Sequence, residues 1–264
     1  MASVTAVIPA AGRGTRLFPL TYAIPKEMLP LGPKPAIQLV VEELVEAGLQ
    51  DFVLVIGNDK DAITAHFAAL KETDETWARL NIHYAEQDEP RGLGHAVLCA
   101  ADDVAGDLFV ALGDAVIWGT QFGGLAQRMV RVHSETEGAA VIAAQQVSLE
   151  DTCRYGIIKP GDAGPSGSVR ALDLVEKPGP QAAPSRLAVC ARYVLPREIF
   201  DILRQVQPGY CGEIQLTDAL RQLAQQRAVY AMPLQPDEER WDVGSLKGYG
   251  RTSQKAWQAL GELD

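Results

Sequence analysis

The residues with the clearest chemical potential lie between Gly12 and Pro30, in the segment GRGTRLFPLTYAIPKEMLP. The preceding apolar run, VTAVIPAA at 4–11, predicts a short buried strand that leads into this segment. Two glycines let a ligand approach the backbone closely, Arg16 and Lys26 add positive charge, and three prolines prevent a helix. Backbone N–H groups and fixed cations at the end of a strand can hold a polyphosphate. A glycine pair alone is more often an ordinary turn with solvated cations, but the glycines, cations and prolines together favour a phosphate site.

The first half of the chain alternates short apolar strands with helical patterns, which predicts βαβ units around a parallel sheet. Strands are predicted at 52–56, 82–85 and 108–112, and helices at 36–47, 61–70 and 94–101. Ligands of open α/β sheets bind outside the carboxyl ends of the strands. We therefore expect the loop at 9–16, the segment 87–92 and Asp114 to share one edge of the sheet.

The second half of the chain is less regular. The predicted elements are strands at 139–145, 187–194 and 229–233, a hairpin of 156–159 with 169–175, and helices at 196–206 and 214–226. No internal repeat or low-complexity segment divides the chain, and 264 residues can bury a large core. A single domain over residues 1–264 is the expectation.

The composition argues against several classes of protein. The chain is 47% hydrophobic and 22% charged, which is ordinary for a soluble globular protein. Its net charge of −10 argues against a general nucleic-acid binder, which would need a basic surface. It has no apolar run of about 18 residues and no basic secretory start, so we expect a cytoplasmic protein outside the membrane. The widely spaced cysteines predict small buried apolar residues, not a zinc site or a disulfide framework: Cys99, Cys153, Cys190 and Cys211.

The pattern GxGTRxxPxTxxxPKExLP resembles the sugar-1-phosphate nucleotidylyltransferases, and AIPKEMLPL followed by KPAIQ is most similar to the bacterial UTP–glucose-1-phosphate uridylyltransferases among them. Seven further blocks resemble these enzymes in the same order and extend the likeness over nearly the whole chain. They are GLGHAVLCA (92–100), LGD (112–114), YGII (155–158), VEKP (175–178), APSRLAVCARYVL (183–195), GEIQLTDAL (212–220) and WDVGSLKGY (241–249).

The resemblance implies an α/β fold that is Rossmann-like, with three α/β/α layers and a central mixed, mainly parallel sheet, the nucleotide-diphospho-sugar transferase fold. It implies Mg²⁺-assisted, in-line transfer of UMP from UTP to α-D-glucose 1-phosphate, which gives UDP-glucose and pyrophosphate. It also implies a homo-oligomer, with no nucleic acid or membrane as partner. The link KETDETWARLN at 71–81 is shorter than the usual insertion in such enzymes. This difference weakens the carry-over of subunit contacts and of base preference from those enzymes.

Carried over block by block, the resemblance assigns four groups of site residues. The triphosphate is contacted by Ala11, Gly12, Gly14, Thr15, Arg16 and Lys26. The base is read by Gln87 and Gly92. The sugar phosphate is contacted by Gly156, Glu176, Lys177 and Val189. The Mg²⁺ ligands are Asp114 and Asp242, and the catalytic cations are Arg16, Lys26 and Lys177.

Elementary chemistry agrees with several of these assignments. A carboxylate at the end of an apolar strand, as at Asp114, is poorly explained by packing, because buried charges need partners. A side-chain amide such as Gln87 offers both a donor and an acceptor to a pyrimidine edge. Successive strand residues face opposite sides, so Glu176 and Lys177 can act together only if the strand ends or twists there. The simpler interpretation of Gln87 is a solvated glutamine, and that of Glu176 with Lys177 is a surface ion pair. For Asp242 it is a turn or N-cap residue.

Other functions are less well supported. The four histidines form no HxH or HxxxH cluster, which argues against a uridylyltransferase that uses a histidine nucleophile. Leu17 stands where a dinucleotide-binding motif would have its third glycine, which disfavours a dehydrogenase. Two alternatives stay open: transfer from dTTP or another nucleotide, and a catalytically inactive sugar-nucleotide sensor. Ala115 stands where many relatives have a polar residue, but the expected ligand beside it is present.

Overall fold

A nine-stranded mixed sheet lies at the centre of the structure, a computed structural model that describes residues 4–57 and 61–261. The strands are β1 (Thr5–Pro9), β2 (Pro30–Leu31), β3 (Lys34–Pro35), β4 (Asp51–Ile56), β5 (Asn81–Glu86), β6 (Leu108–Ala111), β7 (Ala115–Trp118), β8 (Ala140–Gln146), β9 (Gly156–Ala163), β10 (Val169–Glu176), β11 (Leu187–Leu195), β12 (Val229–Pro233) and β13 (Glu239–Asp242). The α-helices are α1 (Ala36–Glu46), α2 (Asp61–Thr73), α3 (Glu75–Ala78), α4 (Leu93–Cys99), α5 (Gly124–Glu135), α6 (Ile199–Leu203), α7 (Leu216–Gln226) and α8 (Leu246–Leu260).

The order of strands in the main sheet is β5-β4-β1-β6-β11-β8-β12-β10-β9. The first four strands are parallel, and β12 is parallel to β8. Because β10 and β11 are antiparallel to their neighbours, seven strands run in one direction and only these two run against it. The predicted mixed, mainly parallel sheet is confirmed, as is the hairpin of β9 and β10.

Both faces of the sheet are covered, which explains the continuous apolar run of β1. Ala6 and Ile8 point into a hydrophobic cluster with α1, α2 and α5, whereas Val7 points into a second cluster with α4, α6 and α7. All three side chains are fully buried. Successive strand residues face opposite sides, so a strand between two helical layers has no polar face. The predicted three-layer α/β/α arrangement is confirmed.

A small second sheet brings distant parts of the chain together. β7 and β13 pair antiparallel, with Asp242 opposite Ala115. Trp118 and Trp241 stack beside this pairing, with ring centroids 4.6 Å apart. This sheet was not predicted, because it joins segments that are far apart in sequence. It carries Asp242 to the residue that follows Asp114.

Two predictions of local structure were wrong. The helix predicted at 196–206 is only α6, because hydrogen bonds of the tighter i→i−3 type form its first turn, from Ile199 to Pro196 and from Phe200 to Arg197. The cysteines are all free, but only Cys190 is buried. Cys153 and Cys211 are exposed, because Cys153 lies in a short turn between β8 and β9 and Cys211 in a short turn between α6 and α7. Within residues 4–57 and 61–261, no helix combines the length and apolarity needed to span a bilayer.

Candidate active site

A cavity of about 610 Å³ opens at the carboxyl ends of β1, β5 and β6. Twelve of the fourteen predicted site residues line it: Ala11, Gly12, Arg16, Lys26, Gln87, Gly92, Asp114, Gly156, Glu176, Lys177, Val189 and Asp242. The other two, Gly14 and Thr15, do not. Gly14 has φ 63 and begins the turn Thr15–Leu17, so it shapes the loop that carries Arg16. The structure thus brings together residues from nearly the whole length of the chain.

An ion pair between Lys26 and Asp114 lies in the wall of the cavity. The Lys26 ammonium also lies 3.7 Å from Glu27. The side chains of Lys26 and Asp114 are only 18% and 13% exposed. Burial by itself lowers the pKa of Lys26, but the carboxylates of Asp114 and Glu27 together more than offset this, and the pKa is raised above its ordinary value. Burial likewise opposes ionisation of Asp114, and Lys26 holds the pKa of that carboxyl below its ordinary value. A fixed cation therefore faces the cavity at neutral pH.

The carboxylates of Asp114 and Asp242 converge beside this cation. The Val243 N–H donates to the carbonyl of Asp114 over 3.0 Å, and the Gly244 N–H donates to Asp242 Oδ1 over 2.8 Å. A Cβ placed on Gly244 would lie 3.0 Å from Asp242 Oδ1, 3.7 Å from Asp114 Oδ2 and 3.5 Å from Arg16 Nη2. Oxygen atoms from two carboxylates thus surround one small space. Mg²⁺ commonly takes one or two carboxylates and completes its shell with phosphate and water oxygens, so the donor set fits this ion.

A second acid–base pair lies in the wall of the same cavity. Lys177 has φ 45 directly after the last residue of β10, so the strand alternation ends there and both Glu176 and Lys177 line the cavity. Lys177 Nζ lies 3.0 Å from Glu176 Oε1, and the Thr217 hydroxyl donates to Glu176 Oε2 over 2.7 Å. A Cβ on Gly156 would lie 3.0 Å from Thr217 Oγ1 and 3.2 Å from Glu176 Oε2. The strand thus ends at Glu176, and a side chain at position 156 would crowd this carboxylate.

The segment 87–92, which is expected to read a base, is held by hydrogen bonds to the loop that contains Ile214. Gly92 has φ 107, and a Cβ there would lie only 2.6 Å from the carbonyl oxygen of Ile214. Backbone hydrogen bonds join this segment to Ile214 on both sides, through the Gly94 N–H and the Arg91 carbonyl, each over 2.8 Å. Gln87 is 5% exposed and lines the cavity. His95 lies in α4 beneath it, as a helix residue and not on the cavity wall.

Arg240 is a cavity residue that sequence reasoning missed. Its side chain is 13% exposed, Nη2 lies 3.8 Å from Asp242 Oδ1, and the guanidinium lies 5.4 Å from the centre of the Tyr155 ring. Burial alone would lower its pKa, but Asp242 and other nearby groups raise it. Among the residues described, its Nε has no hydrogen-bond partner. Its position immediately before the WDVG block was the only signal in the sequence.

A buried ion pair behind the cavity was also missed. Arg192 and Glu43 are 0% and 1% exposed and form two hydrogen bonds of 2.9 and 2.6 Å. Arg192 also donates to the carbonyl of Ala115 over 2.8 Å, next to Asp114. Glu43 accepts from the Ile117 N–H over 3.2 Å. The pair therefore fixes the backbone that follows Asp114.

The charges and shape of the cavity suit a reaction between two anions. One group of lining residues combines fixed cations with two carboxylates, and a second group pairs one cation with one carboxylate. No histidine is among the residues that line this cavity in the described chain. Catalysis there would depend on positioning and charge stabilisation, as in phosphoryl transfer.

This fold and site place the chain among the nucleotidyl transferases. The profile of the nucleotidyl transferase family matches residues 5–259, and the chain belongs to that family.

Individual relatives narrow the comparison. The chain is 41% identical to the UTP–glucose-1-phosphate uridylyltransferase YngB of Bacillus subtilis, over 94% of this chain and 87% of that protein. It is 40% identical to UTP–glucose-1-phosphate uridylyltransferase 2 of Streptococcus pyogenes serotype M3, over 94% and 88%. A crystal structure of a UDP-glucose pyrophosphorylase complexed with UDP-glucose superposes with a TM-score of 0.90 at 34% identity, covering 97% of this chain and 99% of the other. The UTP-bound UGPase from Acinetobacter baumannii superposes with a TM-score of 0.81 at 32% identity, covering 99% and 100%.

Proposed function

We propose that this protein transfers UMP from UTP to α-D-glucose 1-phosphate, giving UDP-glucose and pyrophosphate. The observation that carries the proposal is a single cavity lined both by the centre of Lys26, Asp114 and Asp242 and by the pair of Glu176 and Lys177. Two phosphates have to meet in this reaction, and the cavity provides a cation for each. The named relatives at 40–41% identity are uridylyltransferases of this type.

In the proposed reaction a phosphate oxygen of glucose 1-phosphate attacks the α-phosphorus of UTP, and the bond to the β-phosphate breaks to release pyrophosphate. Arg16 and Lys26 bind the triphosphate and stabilise the charge that shifts towards the leaving group. Lys177 holds the phosphate of the sugar. Glu176 accepts hydrogen bonds from sugar hydroxyls, and Thr217 keeps its carboxylate oriented.

Asp114 and Asp242 would hold Mg²⁺, which when bound neutralises charge on the phosphates. Within residues 4–57 and 61–261, no group of three or more His, Cys, Asp or Glu side chains could hold a metal ion. Phosphate and water oxygens would therefore complete the ligand shell.

Asp114→Asn and Asp242→Asn should each weaken binding of Mn²⁺, followed by electron paramagnetic resonance in the presence of UTP, and the double variant should be far from additive because one ion is shared. Unchanged Mn²⁺ binding in both variants would remove them as ligands.

Residues from β1 to β13 contribute to this one cavity, and we infer that residues 1–264 form a single nucleotidyltransferase domain.

We also expect the chain to form a homo-oligomer. Light scattering coupled to size exclusion measures the mass in solution, and a monomer at micromolar concentration would contradict this expectation.

The test of the function is the release of pyrophosphate from UTP, which should require both glucose 1-phosphate and Mg²⁺ and should yield UDP-glucose by mass spectrometry. Comparing kcat/KM for UTP, dTTP, CTP, ATP and GTP then defines the base. We expect a pyrimidine preference with partial use of dTTP, since one methyl group in a pocket changes specificity by only about 1–3 kcal/mol. UDP-glucose binding without pyrophosphate release would instead show a sensor. A clear preference for ATP or GTP would leave the nucleotidyl transfer but exclude the pyrimidine site.

A further inference from the structure

Gln87, His95 and Arg91 form a chain of hydrogen bonds beside the cavity. The side-chain amide of Gln87 lies 2.8 Å from Nδ1 of His95, and Nη2 of Arg91 lies 2.6 Å from Nε2 of the same ring. His95 is 9% exposed and Gln87 is 5% exposed, so these contacts are sheltered from solvent. The three residues form a continuous path from the surface, at Arg91, to the cavity wall, at Gln87.

The chemistry of these groups decides where the protons lie. A guanidinium can only donate hydrogen bonds, so His95 Nε2 must carry the lone pair that accepts from Arg91. Burial, and next the charge of Arg91, lower the pKa of His95, which keeps the ring neutral. A neutral imidazole with an accepting Nε2 carries its proton on Nδ1, and that N–H must donate to Gln87. The oxygen and nitrogen of an amide are told apart by their partners, so the atom of Gln87 facing Nδ1 is the carbonyl oxygen.

This assignment fixes the other half of the amide. The amide position beside Nδ1 also lies 3.5 Å from the carbonyl oxygen of Gly92, at the outer limit of a hydrogen bond, and placing the oxygen there gives up that long contact for the 2.8 Å bond with His95. The NH₂ group of Gln87 then takes the second amide position, which has no hydrogen-bond partner among residues 4–57 and 61–261. Gln87 is a cavity residue, so this position is the one left for a ligand. The amide presents a donor and not an acceptor.

We propose that Arg91 and His95 are positioning residues that hold the Gln87 amide with its NH₂ group towards the nucleotide base, where it donates to the 4-carbonyl of uracil and rejects the 4-amino group of cytosine. The inference rests on the proposed function, in which Gln87 reads a pyrimidine. Uracil has an acceptor at position 4 and cytosine has a donor there, so an amide locked in this orientation matches one base and repels the other. An unrestrained amide could rotate and serve both bases.

The tautomer can be measured without any turnover. The chain has four histidines, and the ring nitrogen signals of His95 can be assigned in ¹⁵N-histidine-labelled protein by comparison with His95→Gln. We expect His95 to be protonated on Nδ1 alone at neutral pH, and Arg91→Met to reduce the population of that tautomer. An Nε2–H tautomer, or a doubly protonated ring, in the native protein would overturn the proposal.

The consequence for specificity is measured as the ratio of kcat/KM for UTP to that for CTP. Arg91→Met removes the donor from an exposed residue and is expected to lower the ratio about tenfold, as is usual for the loss of one oriented hydrogen bond. Arg79→Met is the matched control, because Arg79 is exposed, lies in the same half of the chain and does not line the cavity. An unchanged ratio in Arg91→Met would overturn the proposal. If the native protein uses no pyrimidine nucleotide, the proposed function fails instead, and the tautomer measurement still decides whether the amide is locked.

Discussion

Replacing Arg192 by methionine should lower the free energy of unfolding by about 3–5 kcal/mol, because the change strands a buried carboxylate. Arg192 is fully buried and donates to both oxygens of Glu43 and to the carbonyls of Ala115 and Ala191. Methionine can fill the aliphatic part of the space but donates no hydrogen bond. Among the residues that the structure describes, Glu43 would then retain only the Ile117 N–H, 3.2 Å away.

A double-mutant cycle separates the ion pair from packing. Glu43→Leu combined with Arg192→Met removes both charges of the buried pair, so its cost should fall short of the sum of the two single changes by at least about 2 kcal/mol. Some loss remains since two carbonyls and one N–H lose their partners, at about 1–3 kcal/mol for each unsatisfied group. Urea unfolding at neutral pH, followed by circular dichroism, measures all three variants.

Arg204→Met is the control for this cycle. Arg204 pairs with Asp201 at the surface, where the side chains are 52% and 75% exposed, and exposed pairs contribute about 0–1 kcal/mol. The reasoning would be refuted if Arg192→Met cost no more than Arg204→Met, or if the two changes in the buried pair were additive.

The remaining predictions concern the cavity and its surroundings. Lys26→Ala should lower kcat by roughly 10²–10³ with little loss of structure by circular dichroism, because a fixed cation acts most strongly in the transition state. Gly156→Ala should raise the KM for glucose 1-phosphate roughly tenfold and leave the KM for UTP nearly unchanged, since its methyl group crowds the carboxylate of the sugar end. Burial raises the pKa of the Cys190 thiol to about 11, so a thiol reagent at about pH 8 should spare it in the folded protein. The same reagent should modify the exposed Cys153, and more slowly when UTP is bound because Cys153 lines the cavity; mass spectrometry measures both sites. Burial lowers the pKa of His66, so the contribution of this residue to stability is complete above about pH 6.5 and declines as the pH falls below that value. When the pH is lowered from about 7.5 to about 5.5, His66→Gln should therefore lose less free energy of unfolding than the native protein.

Matched variants make two of these results interpretable. Lys34 forms an ion pair with Glu42 and does not line the cavity, so Lys34→Ala should leave kcat unchanged. Gly250 lies in α8, and a Cβ there meets nothing within 4 Å, so Gly250→Ala should leave both KM values unchanged. A tenfold change in either control would mean that general destabilisation, and not the cavity contacts, explains the cavity variants.

The sequence alone determined the parts of the structure that depend on local chemistry. Apolar runs predicted β1, β4, β6 and β12, because a strand covered on both faces has no polar side to disguise it. Gly48, at φ 91, ends α1 where the sequence indicated, since the left-handed conformation costs glycine little. The carboxyl-end rule placed the first loop and Asp114 at one cavity, because parallel strands all end at the same edge.

Helices were predictable only where their buried face is apolar. In α5 the apolar residues Leu125, Met129 and Val132 recur at helical spacing, so a signal was present, although no helix was predicted there. In α8 the buried face is formed by Thr252, Ala256 and Leu260, while Trp257 is 55% exposed. A helix whose buried side is small and partly polar shows no clear periodic pattern in one sequence.

Only the tertiary structure decided how the site is assembled. The pairing of β7 with β13 brings Asp242 to Asp114, and no local rule links positions so far apart in the chain. The same holds for the buried bond of Arg192 with Glu43 and for the contact of Arg91 with His95, whose meaning depends on which atoms face each other. Motifs state which residue types are present, whereas hydrogen-bond direction and burial depend on long-range packing. That packing is what turns a glutamine in a loop into an oriented donor at the cavity wall.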